Sequence, residues 1–236
     1  TESLAVFIPF KVQEIQDKGG IYFGENAISH NLIMCNKANL LNQSAFLLGV
    51  PGAGKSFSAK ELIAFLMLHP DYADDDILIC DPEGEFGALV KTLGREKATV
   101  AHLVAGGKDR LNAMYMVEGY GENNPIVEKS QFVMSLIEQI DKRGVGPQHK
   151  SIIDRCTASV YRYYQQGNYM GTPPTLQDFR EELLKQDEPE AQEIALAIEL
   201  FTDGSLNTFA KHTNVDTHSR LICYDILDLG KQLQPI

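Results

Sequence analysis

Gly49, Gly54, Lys55 and Ser56 stand at the spacing G-x-x-x-x-G-K-S within the stretch GVPGAGKS. Each residue type suits one task in gripping a polyphosphate. Glycines reach backbone angles that side chains forbid, so successive amide hydrogens can converge on phosphate oxygens. A helix that starts at the lysine adds its positive N-terminal end. In such an arrangement Lys55 meets the terminal phosphates and Ser56 ligates Mg2+. The backbone of Gly49, Val50, Pro51, Gly52, Ala53, Gly54 and Phe57 completes the cup. The spacing arises by chance in roughly one chain in a hundred of this length, so the flanks decide. The apolar AFLL precedes the loop, and Leu62, Ile63, Leu66 and Met67 follow it at helical spacing. The competing reading is a glycine turn that holds no ligand.

A second constellation is CDPEGEF, where Asp81, Glu83 and Glu85 close the apolar run ILIC. Carboxylates at the carboxyl end of a strand beside a phosphate loop suit two tasks of phosphoryl transfer. One positions magnesium through water, and another draws a proton from the attacking water. The alternative is a solvated acidic turn in which Asp81 caps the next helix. Lys108 and Arg110, in GGKDRLNAM, form a basic loop that could meet phosphate or a neighbouring subunit, although a plain surface loop accounts for them as well. Four tyrosines in YRYYQQGNY hint at base stacking, yet their helical spacing points to packing. Asp225 closes LICY as Asp81 closes ILIC, but Ile226 follows it where a hydrolytic strand end of the usual kind carries Glu, so Asp225 reads as structural.

The elements that must position these groups alternate. Short strands and turns are expected through LAVFIPF, KGGIYFG and NLIMC; then come the loop, a helix ended by Pro70, the strand ILIC, a helix over EFGALVKTLG and the strand ATVAHLV. That alternation predicts a doubly wound parallel α/β sheet with ligands at the carboxyl ends of its strands. From about residue 122 the character becomes helical, with four consecutive segments punctuated by Gly144, Gly167 and Gly204 and with Thr175 and Asp178 spaced as a capping box. RLICYDILDL is strand-like again, so the helices interrupt the sheet. The expected division is a core over residues 1–111, a helical lobe over 112–212 and a return to the core over 213–236.

Composition narrows the function classes. A 44% hydrophobic content supplies a buried interior for 236 residues. No apolar run approaches bilayer length, and TESLAVFIPF lacks the features of a secretory signal, which predicts a soluble piece. Cys35, Cys80, Cys156 and Cys223 form no C-x-x-C pair and the six histidines form no metal motif, which fits reduced thiols in a cytosolic compartment. A net charge of -11 disfavours a broad surface clamped on nucleic acid.

TESLAVFIPF, GGIYFGEN, LGVPGAGKSFSAKELI, ILICDPEGEFGALV, LNAM and GSLNTFAKHTNVDTHSRLICYDILDLG, taken in order, resemble the VirB-type (TraC/TraE-like) ATPases of type IV secretion and conjugal transfer systems, in the HerA and FtsK branch of P-loop motors. The resemblance spans nearly the whole chain. It implies a RecA-like P-loop NTPase sheet with an inserted all-helical lobe, binding ATP and Mg2+. It also implies a cytoplasmic, membrane-peripheral homo-oligomer, a hexamer, that works with other secretion components at the inner face of the membrane on exported protein or DNA. By match to the family, Gly49, Gly52, Gly54, Lys55 and Ser56 carry the nucleotide, and Asp81, Glu83 and Glu85 fall on its acidic strand-end motif. The family's later strand ending in Asp-Glu has no counterpart in these residues, so the core reads as truncated and the resemblance bears on binding more directly than on turnover.

The leading expectation is therefore an ATPase motor domain that energises export and channel assembly. A DNA translocase or coupling protein of the same superfamily is one rival, disfavoured by the acidic balance. A nucleotide-dependent assembly module without turnover is the other. A small-molecule kinase fits less well, since no lid or acceptor pocket is legible.

Overall fold

The computed structural model describes residues 14–94, 98–121, 124–141, 144–230 and 233. The strand expected over LAVFIPF lies outside them. Gly19, at φ 68°, turns the chain into β1 (Ile21–Glu25), which pairs antiparallel with β2 (Leu32–Cys35). The glycine loop then opens α1 (Lys55–Leu68), whose last turn is followed by Pro70. Next come β3 (Ile77–Asp81), α2 (Gly87–Gly94) and β4 (Ala98–His102). Among the described residues, five α-helices follow before the chain re-enters the sheet: α3 (Pro125–Ile140), α4 (Pro147–Gln166), α5 (Leu176–Leu184), α6 (Pro189–Ala197) and α7 (Glu199–Thr202).

The returning strand, β5 (Leu221–Asp225), enters between β3 and β4 and pairs parallel with both. Its register puts Leu221 beside Ile77 and Ala98 at one end, and Asp225 beside Asp81 and His102 at the other. A strand flanked on both sides and covered on both faces must be apolar throughout. LICY meets that requirement, with Leu221, Ile222 and Cys223 buried. On edge strand β3 burial alternates instead: Ile79 and Asp81 face inward, while Leu78 and Cys80 are exposed. One face of the sheet packs Ile79, Val90, Leu221 and Cys223 against Ile63 and Met67 of α1. Ala101, Leu103, Leu229 and Leu233 form a separate cluster.

The helices gather around a third cluster that includes Val133, Ile153, Tyr161, Phe179, Leu183 and Ile198. Their ends are set by local chemistry. The Asn124 side chain accepts from the Val127 amide ahead of α3, and proline opens α3, α4 and α6. At α5 the capping box forms: Thr175 Oγ1 accepts from the Asp178 amide at 3.3 Å and Asp178 Oδ2 accepts from the Thr175 amide at 2.7 Å. Tyr161 donates its hydroxyl to the Met114 carbonyl and Tyr164 to that of Met116, at 3.2 Å for the latter. These tyrosines therefore pack and tie α4 to the irregular segment that follows β4, while Tyr163 is exposed. Lys129 makes a parallel tie: its buried ammonium donates to the Tyr115 carbonyl at 2.9 Å and lies 4.5 Å from the Tyr120 ring centroid, and burial lowers its pKa to about 8.

One stretch differs from its apolar pattern. The apolar AFLL that precedes the loop forms no strand: residues 43–50 are irregular, and Phe46 and Leu48 are 89% and 87% exposed. A strand exists only through a partner's ladder, and among the described residues none pairs with this segment.

Candidate nucleotide-binding site

The loop has the backbone that its glycines permit. Gly52 and Gly54 sit at φ 79° and 87°, in the left-handed region. Gly54 is also the N-cap of α1 and offers no side-chain cap. A helix leaves its first amides without intrahelical partners. Those of Lys55, Ser56 and Phe57 thus stand at the positive end of a 14-residue helix, while the Ser58 amide already donates to the Gly54 carbonyl at 2.9 Å. Gly49 answers a different demand: a Cβ there would meet Ala53 Cβ at 3.2 Å and Lys55 Cγ at 3.4 Å. The loop closes on itself through the Ala53 amide, which donates to the Val50 carbonyl at 3.1 Å. Lys55 Nζ donates to that same carbonyl at 3.2 Å, so the ammonium is folded back over the loop. Val50, Pro51, Gly52, Ala53, Gly54 and Phe57 are exposed and Ser56 is half-buried. An open cup of this kind suits a large anion. The groove of about 760 Å3 lined by Tyr115, Phe132, Phe209 and Val215 includes no loop residue.

The acidic turn is built on Asp81, at the end of β3. Its side chain is fully buried; Oδ1 accepts from the Glu85 amide at 3.1 Å and Oδ2 from the Phe86 amide at 2.8 Å. The Cys223 thiol of β5 also lies 3.9 Å from Oδ2. Burial, then the neighbouring Asp81 charge, pushes that thiol up to about 12, which keeps it protonated as a donor. Asp81 thus holds the turn that leads into α2, and Gly84 at φ 67° lets the chain reverse. Glu83 and Glu85 are left exposed on the outside of the turn. Asp81→Ala is expected to cost about 2 kcal/mol, because two bonds to a charged acceptor are lost and two amides are orphaned. Chemical denaturation measures this, and a loss below about 0.5 kcal/mol would mean that the turn stands without its carboxylate.

The two constellations meet through a residue that sequence reading passed over. Lys60 on α1 lies 3.9 Å from Glu85 Oε2, and its Nζ sits 5.4 Å from the Phe86 ring centroid. Since Lys60 is about 7.5 Å of helix rise beyond Lys55, the acidic turn flanks the first turns of the loop helix. A lysine one turn after the motif, opposite an acidic turn, was the available signal. Asp225 does not face this turn as a free carboxylate: Oδ2 pairs with His102 Nδ1 at 2.9 Å and Oδ1 accepts from the Leu227 amide at 3.2 Å. The loop bearing Lys108 and Arg110 is tied to Asn214, which accepts from the Arg110 amide at 2.8 Å and donates to the Lys108 carbonyl at 2.7 Å.

Residues 28–233 match the family model described as Helicase HerA, central domain. The chain belongs to that family. Its parallel sheet and helices form the P-loop ATPase fold of that family. No curated protein matches the chain. Among solved structures, VirB4 of Thermoanaerobacter pseudethanolicus is similar in fold, with a TM-score of 0.69 at 21% sequence identity over 91% of this chain. The match covers 59% of the VirB4 chain, so this HerA domain spans less than two thirds of that relative. Among the described residues no helix is long and apolar enough to cross a membrane.

Proposed function

We propose that this HerA-family domain binds ATP with Mg2+ in the cup of residues 49–57 and hydrolyses it to energise export and channel assembly in a type IV secretion system. The observation that carries the binding step is the loop itself. Gly52 and Gly54, at positive φ, deliver three unpaired amides and a lysine to the start of α1. The amides of Gly52, Gly54, Lys55, Ser56 and Phe57 would wrap the phosphates, Lys55 would neutralise the terminal ones, and the Ser56 hydroxyl would be the oxygen ligand that Mg2+ requires. Magnesium prefers hard oxygen donors and usually keeps waters while bridging substrate phosphates, so one hydroxyl beside the lysine with carboxylates nearby fits it. When bound, it supplies charge neutralisation on the transferring phosphoryl group.

Glu83 and Glu85 are the carboxylates available to water, and Asp81 holds them in place as the root of their turn. Asp81 itself is fully buried on those two amides, so the carboxylates that would meet the metal through water are the exposed ones of its turn. Glu83, whose carboxylate is exposed and has no partner among the described residues, is the group assigned to orient and deprotonate the attacking water. Glu85 is restrained by Lys60. Glu83→Gln keeps the shape and removes the base. Turnover in the longest natural form of the chain should fall at least tenfold, with MgATP affinity changed less than threefold. Unchanged turnover would remove Glu83 from the chemistry.

The secretion setting rests on the VirB4-like fold and on the ordered motifs. It implies a cytoplasmic oligomer, a hexamer, at the inner face of the membrane, with other secretion components and an exported protein or DNA as partners. Calorimetry with MgATP and MgADP tests the first step. Absence of heat with either nucleotide overturns the reading from its base.

A further inference from the structure

We propose that Arg220 is a positioning residue for the phosphate loop, acting from the opposite end of α1; this rests on the reading of residues 49–57 as a nucleotide cup. Arg220 immediately precedes β5, and its guanidinium reaches four backbone carbonyls. Nη2 donates to Leu66 at 3.0 Å and to Tyr72 at 2.5 Å, Nη1 to Met67 at 3.1 Å, and Nε to Asp75 at 3.1 Å. Leu66 and Met67 lie in the last turn of α1, where carbonyls lack helical partners. Tyr72 and Asp75 belong to the connection from α1 to β3. The backbone of the same residue starts the β3–β5 ladder, its carbonyl accepting from the Ile77 amide at 2.7 Å. One side chain therefore joins the end of α1, the start of β3 and the root of β5.

The consequence appears at the far ends of those elements. α1 carries the glycine loop at its N-terminus, and β3 carries the acidic turn at its C-terminus. Arg220 is the directional contact that fixes their common root. Among the described residues, the other contacts of α1 are the long Lys60–Glu85 pair at 3.9 Å, between two partly exposed side chains, and apolar ones: Ile63 and Met67 on the sheet, and Phe65 edge-on to Tyr22 at 6.4 Å between centroids. Apolar contacts resist separation more than they resist rotation. With α1 about 21 Å long, a tilt of roughly 5° at the clamp moves the loop amides by about 2 Å. Misplacement by even ~1 Å can cost on the order of 100-fold in a positioned site. The charge of Arg220 is not the agent, because at about 20 Å through water and salt its attraction for a phosphate falls below RT. The planar fork is the agent, and lysine cannot reproduce it.

The test compares Arg220→Lys and Arg220→Met with Ile153→Val, a variant in the core of the helical lobe. MgATP affinity and turnover are measured at 10 °C, with folding checked by circular dichroism. Both Arg220 variants are expected to bind at least tenfold more weakly, and lysine should recover less than threefold over methionine. Ile153→Val should lose stability and keep its affinity. Binding within twofold of the parent by a folded Arg220 variant, or full rescue by lysine, overturns the proposal. If the variants do not fold, hydrogen exchange on the parent decides. MgATP should slow exchange over residues 66–76 as well as 49–57, and protection confined to 49–57 overturns the role of Arg220. A parent that binds no nucleotide overturns the cup instead, which is a separate result.

Discussion

Lys55→Ala is expected to weaken MgATP binding on the order of 100-fold and to abolish measurable turnover. The ammonium is the one cation that the loop itself supplies, and it is held over the cup by the Val50 carbonyl at 3.2 Å. A bond to a charged partner contributes about 1.5–3 kcal/mol, which corresponds to roughly 10- to 150-fold in affinity. The upper part of that range applies because a polyphosphate places several charges near one amine. Loss of the side chain leaves the loop backbone intact, since Gly52, Gly54 and the Ala53 amide bond do not depend on it. The variant should therefore melt within a few degrees of the parent without ligand, and calorimetry should register the lost heat. Turnover equal to the parent would reject the role given to the loop. Lys55→Arg is expected to recover only part of the affinity, because a planar fork replaces a compact charge at a crowded start of a helix.

The parts of this site that were legible in the sequence are those fixed by neighbours along the chain. Positive φ at Gly52 and Gly54, the capping box of Thr175 and Asp178, and the stop at Pro70 are local events, and residue type alone announces them. The return of LICY to the sheet was legible for a similar reason, since an unbroken apolar run after a helical lobe has few other places to go. Its place between β3 and β4 was not legible. Strand order is decided by pairing partners more than 100 residues apart, and nothing in LICYD distinguishes a central from an edge position except its lack of polar alternation. Asp81 shows the limit more sharply. DPEGE advertises three carboxylates, but only the fold reveals that the first is buried on the amides of Glu85 and Phe86 while Glu83 and Glu85 face water. Arg220 left even less trace: its carbonyl partners lie 145 to 154 residues earlier in the chain. A cation opening an apolar strand was the sole hint. AFLL failed in the other direction, because apolar residues ahead of the loop do not make a strand unless a ladder receives them.

Phe179→Ala should produce the largest loss of stability, and how that loss is distributed tests the division of the chain into a sheet core and a helical lobe over residues 112–212. Phe179 is fully buried on α5, in the same cluster as Tyr161, Leu183 and Ile198. Removing a buried phenyl ring costs about 3–5 kcal/mol, a large share of the roughly 5–15 kcal/mol that holds a domain together. The clusters under the sheet contain none of these residues, so the damage should stay in the lobe if the lobe is a cooperative unit of its own. Each kcal/mol lowers Tm by about 4–8 °C in a unit near 100 residues and by about 2–4 °C in one near 236. A lobe that melts alone thus gives an early, strongly displaced transition followed by a second one close to that of the parent. Below the first transition, MgATP affinity should remain within twofold of the parent, because the loop and α1 rest on the sheet. A single displaced transition with simultaneous loss of binding would instead make the lobe and the nucleotide site one folding unit, and the boundary at residue 112 would have no energetic meaning.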